Sequence, residues 1–310
     1  MTLYRFQQHY HIGGHQIAPL LQLPLQADEL GGYLGPRTFV VWRSPVLDRW
    51  PVENTRAFFK PLQSSSPYRP GWDREEVHLG AAVSVFDDVC LGLYGQWHHP
   101  LQRTVTPEEV ARLRKTEGGH QQTGNQTYCG PEVSVDLGLL FSNDGLHFRD
   151  PAPGHTFIRR DQEAHWDREF KTTASHPPIL LLQGSMINTP DQTYIFYSAS
   201  TPHGNTATCR GNIGLATLPR DRFGYVECIP GQAAGSLLSV PLTASSSDRL
   251  WLNAEAPPGS TLRLSLMDAD GLNPLPGYEM QKLETEGISG LDVEVRWTNE
   301  TGTRPLPKDP

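Results

Sequence analysis

The chain has 310 residues, 37 % hydrophobic and 19 % charged, with 29 Gly, 27 Pro and a formal net charge of -8. That length exceeds what one compact core organises, so two domains are expected. The dispersed acid excludes the basic face of a nucleic-acid binder, and the frequent Gly and Pro exclude long helices in favour of short strands and tight turns.

In chain order, residues 1–6 lack the apolar core of a signal peptide, and no later apolar run approaches the roughly 20 residues that span a bilayer. The chain is therefore expected to be unexported and away from membranes. A strand-and-turn unit then recurs three times. The turn SPVLDRW (44–50) follows the apolar run FVVW (39–42). SNDGLHF (142–148) follows VDLGLLF (135–141), and TLPRDRF (217–223) follows IGLA (213–216). Each turn opens on a hydroxyl residue, closes on an aromatic six positions later, and holds an Asp between them. Hydroxyl and Asp can bond backbone amides in such a turn while the aromatic packs back on its sheet.

Between these units, residues 77–86 and 89–94 are apolar and separated by Asp87-Asp88, which predicts a hairpin. Thr106-Pro107-Glu108-Glu109 carries an N-cap hydroxyl, Pro at the first helical position and Glu at the third, predicting a helix to about Lys115 within a polar surface loop over 98–131. Residues 179–183 and 193–197 predict a further strand pair around the turn at 188–191. After Gly231 the strands 236–241, 249–253, 261–267 and 293–297 are expected. Leu262, Leu264 and Leu266 alternate with polar neighbours, so that strand should bury one face before the turn at 268–271. The expected domains are 1–230 and 231–310. Cys90, Cys129, Cys209 and Cys228 show no C-x-x-C spacing and are read as free thiols; Cys209 and Cys228 could bridge in an oxidising compartment.

The segment 135–148, then Trp166-Asp167, the pair ending YIFYS (194–198), GNIGLATLPRDRF (211–223), and the later LWLNA (250–254) and LSLMDADG (264–271) follow one another in an order that resembles the five-bladed β-propeller glycoside hydrolases of the family 32 and 43 kind. The resemblance implies an all-β chain, a β-propeller followed by a small β-sandwich, acting on an oligo- or polysaccharide without a cofactor.

Glycoside hydrolysis needs two carboxylates across the scissile bond. In a propeller these sit where blade strands begin beside the central funnel. Two segments of one form precede such strands: Trp72-Asp73-Arg74-Glu75, followed by Glu76, and Trp166-Asp167-Arg168-Glu169. Asp73, Glu76, Asp167 and Glu169 are the catalytic candidates. Trp72 and Trp166 would offer apolar ring faces to a sugar, with Glu75, Trp97, His98 and His99 also lining the site. A separation of about 5–5.5 Å would imply retention and about 6.5–9.5 Å inversion. The competing reading makes W-D-R-E a surface turn with Asp and Arg paired, the histidines solvated, and Asp136 a buried carboxylate bonding backbone. No third ligand for a metal is indicated. The alternative function is a non-catalytic carbohydrate-binding or assembly protein derived from such a propeller. Open sheet edges would also favour pairing of two copies into a homodimer.

Overall fold

In the computed structural model the chain is described over residues 1–17, 37–50, 56–59, 64–65, 70–73, 76–98, 103–104, 127–128, 134–152, 155–160, 166–167, 179–182, 184, 186–200, 211–243, 245, 249–279, 281–283, 289–299 and 302–307. The described residues form strands, turns and one short 3-10 segment at 166–167, with no α-helix among them. The strands are β1 (Thr2–Phe6), β2 (His9–Ile17), β3 (Arg37–Ser44), β4 (Arg56–Phe59), β5 (Ser64–Ser65), β6 (Pro70–Asp73), β7 (Glu76–Phe86), β8 (Val89–His98), β9 (Arg103–Thr104), β10 (Thr127–Tyr128), β11 (Ser134–Ser142), β12 (Ile179–Leu182), β13 (Ile187–Asn188), β14 (Gln192–Ser200), β15 (Gly211–Pro219), β16 (Leu250–Glu255), β17 (Leu262–Leu264), β18 (Gln281–Leu283), β19 (Ser289–Val295), β20 (Trp297–Asn299) and β21 (Gly302–Arg304). The chain divides into two compact units, Met1–Ile187 with Tyr194–Thr217, and Asn188–Thr193 with Leu218–Pro310.

In the first unit, β1 to β4 form an antiparallel meander. A larger sheet runs β13-β14-β12-β11-β8-β7, with β15 pairing β14. The hairpin expected around Asp87-Asp88 is β7–β8, closed by a two-residue turn with Asp87 at φ 45°. Asp tolerates that left-handed conformation better than a branched residue would. The two sheets share a core in which Tyr4, Phe6, Phe39, Val41 and Phe59 meet Val77, Val83, Cys90, Tyr94 and Leu140. Alternation dictates this: β7 sends Val77, Ala81 and Val83 into the core at period two once a bulge between His78 and Ala81 has reset the register. β11 and β12 run parallel, joined through Val135 and Ile179. β12 then pairs antiparallel with β14, as the expected strand pair requires.

The three turns differ in construction. In the second, the Ser142 hydroxyl lies 2.9 Å from the Asp144 carboxylate, which accepts the amides of Leu146 and His147 at 2.9 and 2.7 Å. Burial pushes the Asp144 carboxyl up, but the His147 ring at 2.6 Å from its other oxygen, together with these bonds, holds it well below the usual range. Its aromatic, Phe148, is buried edge-on to Phe39. In the first, Ser44 bonds the Arg49 carbonyl and the Val46 amide, and Trp50 donates to the Leu47 carbonyl at the surface. In the third, Asp221 receives a bond from Asn188 and donates its amide to Thr193, so the start of strand β14 supplies the hydroxyl.

In the second unit, ladders β16–β19, β17–β18 and β20–β21 surround Tyr278, Val295 and Trp297, with Leu262, Leu264 and Leu266 packed against them as the alternation predicts. The turn at 268–271 is present, its Gly271 amide on the Asp268 carbonyl. The strand expected at 236–241 is not formed. Leu237, Leu238 and Val240 are exposed there, and Pro241 has no N–H to give a ladder. The helix expected from Thr106 lies outside the described residues. Cys90 and Cys228 are free. The chain is thus all-β with several antiparallel sheets; no closed barrel or propeller ring is shown among the described residues.

Candidate functional site

One end of the large sheet carries three of the sequence candidates, Glu76, Trp97 and His98. Glu76, the first residue of β7, is the register partner of Trp97 on β8. Trp97 is in turn opposite Val135, Val135 opposite Ile179, and Ile179 opposite Ser200. A single row therefore crosses five strands from Glu76 to Ser200. His98 pairs with Ser134 beside this row. Trp72 and Asp73 lie on β6, which pairs with β5 through Asp73 and Ser64. Glu75, His99 and Glu169 lie outside the described residues.

The next row inward, Val77, Gln96 and Asp136, is buried. Asp136 accepts the Arg160 amide at 2.8 Å and forms an ion pair with the Arg160 guanidinium. This is the buried, backbone-bonded Asp136 that the sequence left open. Gln96 donates to the Tyr94 hydroxyl at 3.1 Å and to the His155 carbonyl at 2.8 Å, and accepts from the Thr156 hydroxyl at 2.9 Å. Tyr94 bonds Asp150, but burial outweighs that bond and pushes the Asp150 carboxyl upward. A Cβ on Gly138 would lie 2.4 Å from the Tyr94 ring and 2.6 Å from the Gln96 amide, so only glycine leaves room for this polar layer. Sequence reasoning missed Gln96. Its signal was a long amide interrupting the apolar run of β8.

Trp166 and Asp167 occupy the 3-10 segment. The Trp166 indole donates to the Tyr197 hydroxyl at 2.9 Å and packs on the cluster of Leu137, Leu180, Tyr197 and Ala199. A Cβ on Gly214 would sit 2.2 Å from the same indole, so β15 closes that flank. Asp167 is fully buried. Burial raises the Tyr197 hydroxyl pKa, and the nearby Asp167 charge adds to that rise. A carboxylate enclosed in this way organises its surroundings and does not face solvent.

Among the described residues no group of three or more His, Cys, Asp or Glu is placed to hold a metal ion. Compared with models of protein families, with curated proteins and with solved structures, the chain finds no match.

Proposed function

We propose that this chain is a carbohydrate-active protein of the propeller glycosidase type, cleaving a glycosidic bond of an oligo- or polysaccharide with one carboxylate from the first Trp-Asp-Arg-Glu segment or the Glu76 that follows it, and one from the second segment. The observation that carries the reading is the direct register pairing of Glu76 with Trp97 at a sheet end, which brings a candidate acid and a candidate sugar platform to neighbouring strands. Asp73 or Glu76 supplies the first group and Glu169 the second, while Asp167 is enclosed and the Trp166 indole is held by the Tyr197 hydroxyl. A protonated carboxylic acid on one side of the glycosidic oxygen and an ionised carboxylate on the other would divide the work of leaving-group protonation and of attack or water activation.

The reading is tested by turnover of chromogenic glycosides, furanosides included. Glu76→Gln should lower the rate by about 10²- to 10⁴-fold, the usual contribution of a general acid or base. A wild-type protein without turnover on any such substrate, or a Glu76→Gln variant at the wild-type rate, sinks the proposal. The enclosure of Asp167 favours a second reading, a saccharide-binding protein without turnover. It predicts sugar binding that survives both Glu76→Gln and Glu169→Gln. Pairing of two copies along the edge strand β15, where Ile213 and Leu215 are exposed, belongs to either reading, and a monodisperse monomer by light scattering would exclude it.

A further inference from the structure

The second unit carries a surface that hydrolysis at the sheet end does not use. Along β16 exposure alternates: Leu250, Leu252 and Ala254 pack toward Tyr278, Val295 and Trp297, while Trp251, Asn253 and Glu255 face solvent. Trp251 is 48 % exposed on the outer face of a regular strand. The ring therefore stands on the outer face of its strand with one face open to a ligand.

Its neighbours are polar and already held in place. Register shifts between Leu252 and Ala254, so Asn253 lies at an irregularity that re-aims its side chain. The Asn253 amide oxygen accepts from Arg222 Nε at 2.8 Å, and its nitrogen donates to the Arg220 carbonyl at 3.4 Å. The other arm of the Arg222 guanidinium pairs with Glu255 at 2.8 Å. Across the ladder, Glu294 stands directly opposite Trp251 and is engaged by Arg296 and Arg249. An indole face is thus framed by an amide, a guanidinium and two carboxylates whose directions are fixed before any ligand arrives.

This chemistry selects its ligand. A sugar ring offers C–H groups on one face, which an indole covers, and vicinal hydroxyls on its rim, which planar amide, carboxylate and guanidinium groups bind in pairs. Glu255 and Glu294 are each paired with arginine, so the surface beside Trp251 presents compensated charge and suits a neutral ligand. We propose that Trp251, with Asn253, Arg222 and Glu255, forms a second saccharide site that takes one ring of a neutral oligosaccharide against the indole. The choice of saccharide among ring-shaped ligands rests on the carbohydrate reading above, but the site requires no hydrolysis.

The test uses the full chain carrying Glu76→Gln, titrated calorimetrically with cellohexaose, xylohexaose, arabinohexaose and fructo-oligosaccharide. Adding Trp251→Ala should weaken binding of the preferred sugar by about tenfold or more, as loss of a central aromatic anchor does. Adding Asn253→Ala instead should weaken it by a smaller factor. In the otherwise wild-type chain, Trp251→Ala should leave hydrolysis of short chromogenic glycosides unchanged. Equal affinity with and without Trp251, or no binding of any of these sugars at about 10 mM, overturns the proposal. Turnover accompanied by either result would leave the hydrolytic reading standing, and Trp251-dependent binding without turnover would retain this site while removing that reading.

Discussion

His11 makes the stability of the first unit depend on pH in a defined window. It lies on β2 with no exposed surface, its ring parallel to that of Tyr4 with centroids 4.9 Å apart. Neither ring nitrogen has a hydrogen-bond partner of good geometry. Burial disfavours the imidazolium most, and the positive charges of Arg43 and His9 add to that; a backbone contact at His9 and the Asp144 carboxylate offset only part. The pKa falls from 6.5 to about 4. The unfolded chain therefore takes up a proton near 6.5 that the folded chain refuses until about 4, so stability is complete above pH 6.5 and is lost as the pH falls toward 4. At about 1.36 kcal/mol per pH unit, the loss between pH 7.5 and 4.5 is about 2.5 kcal/mol. Urea unfolding of wild type and His11→Phe at those two pH values measures it. Phe keeps a planar ring against Tyr4 and removes the titration, so the variant should show a loss smaller by about 2.5 kcal/mol, in proportion to the missing proton. Identical pH dependence in the two proteins would refute the reasoning.

Three further outcomes follow from close contacts. Gly138→Ala would drive a methyl group into Tyr94 and Gln96, and thermal melting should report a loss of about 2–3 kcal/mol, typical of overpacking. Asp136→Ala strands the partly buried Arg160 guanidinium, so a destabilisation of about 3 kcal/mol is expected in denaturant unfolding; a change under 1 kcal/mol would mean that water replaces the carboxylate. Ser142→Ala removes a hydroxyl from the Asp144 turn and should cost about 1 kcal/mol, with the Asp144 pKa, followed by carboxyl NMR, rising toward its ordinary value.

What the sequence made legible was local. Asp87-Asp88 between two apolar runs specifies the β7–β8 hairpin, but the hairpin register alone would set His78 opposite Trp97; the bulge between His78 and Ala81, which the composition did not announce, is what brings Glu76 there. The alternation of Leu262, Leu264 and Leu266 likewise carries its own burial pattern. Distant packing was not legible. Asp167 is enclosed, and its neighbour Trp166 is pinned between Tyr197 and the backbone at Gly214, residues far along the chain. The identity of the two W-D-R-E segments gives no hint of that enclosure. The third turn has the composition of the others, yet Thr193 takes over the hydroxyl bond to Asp221. The apolar run at 236–241 has strand composition, but a strand exists only where a neighbour accepts its ladder.

The parallel joint between β11 and β12 has a bearing on how the first unit assembles. β7 pairs with β8 across a two-residue turn and β12 pairs antiparallel with β14 across a short connection, whereas β11 joins β8 and β12 only across residues 99–133 and 143–178, with Val135 and Ile179 the register pair of the parallel joint. The β7–β8 and β12–β14 pairs need only short loops to close, whereas both joints of β11 must await closure of connections of similar length. The parallel joint is held by one register pair against nine between β8 and β11, so native-state amide exchange should show protection lost first at the β11–β12 seam.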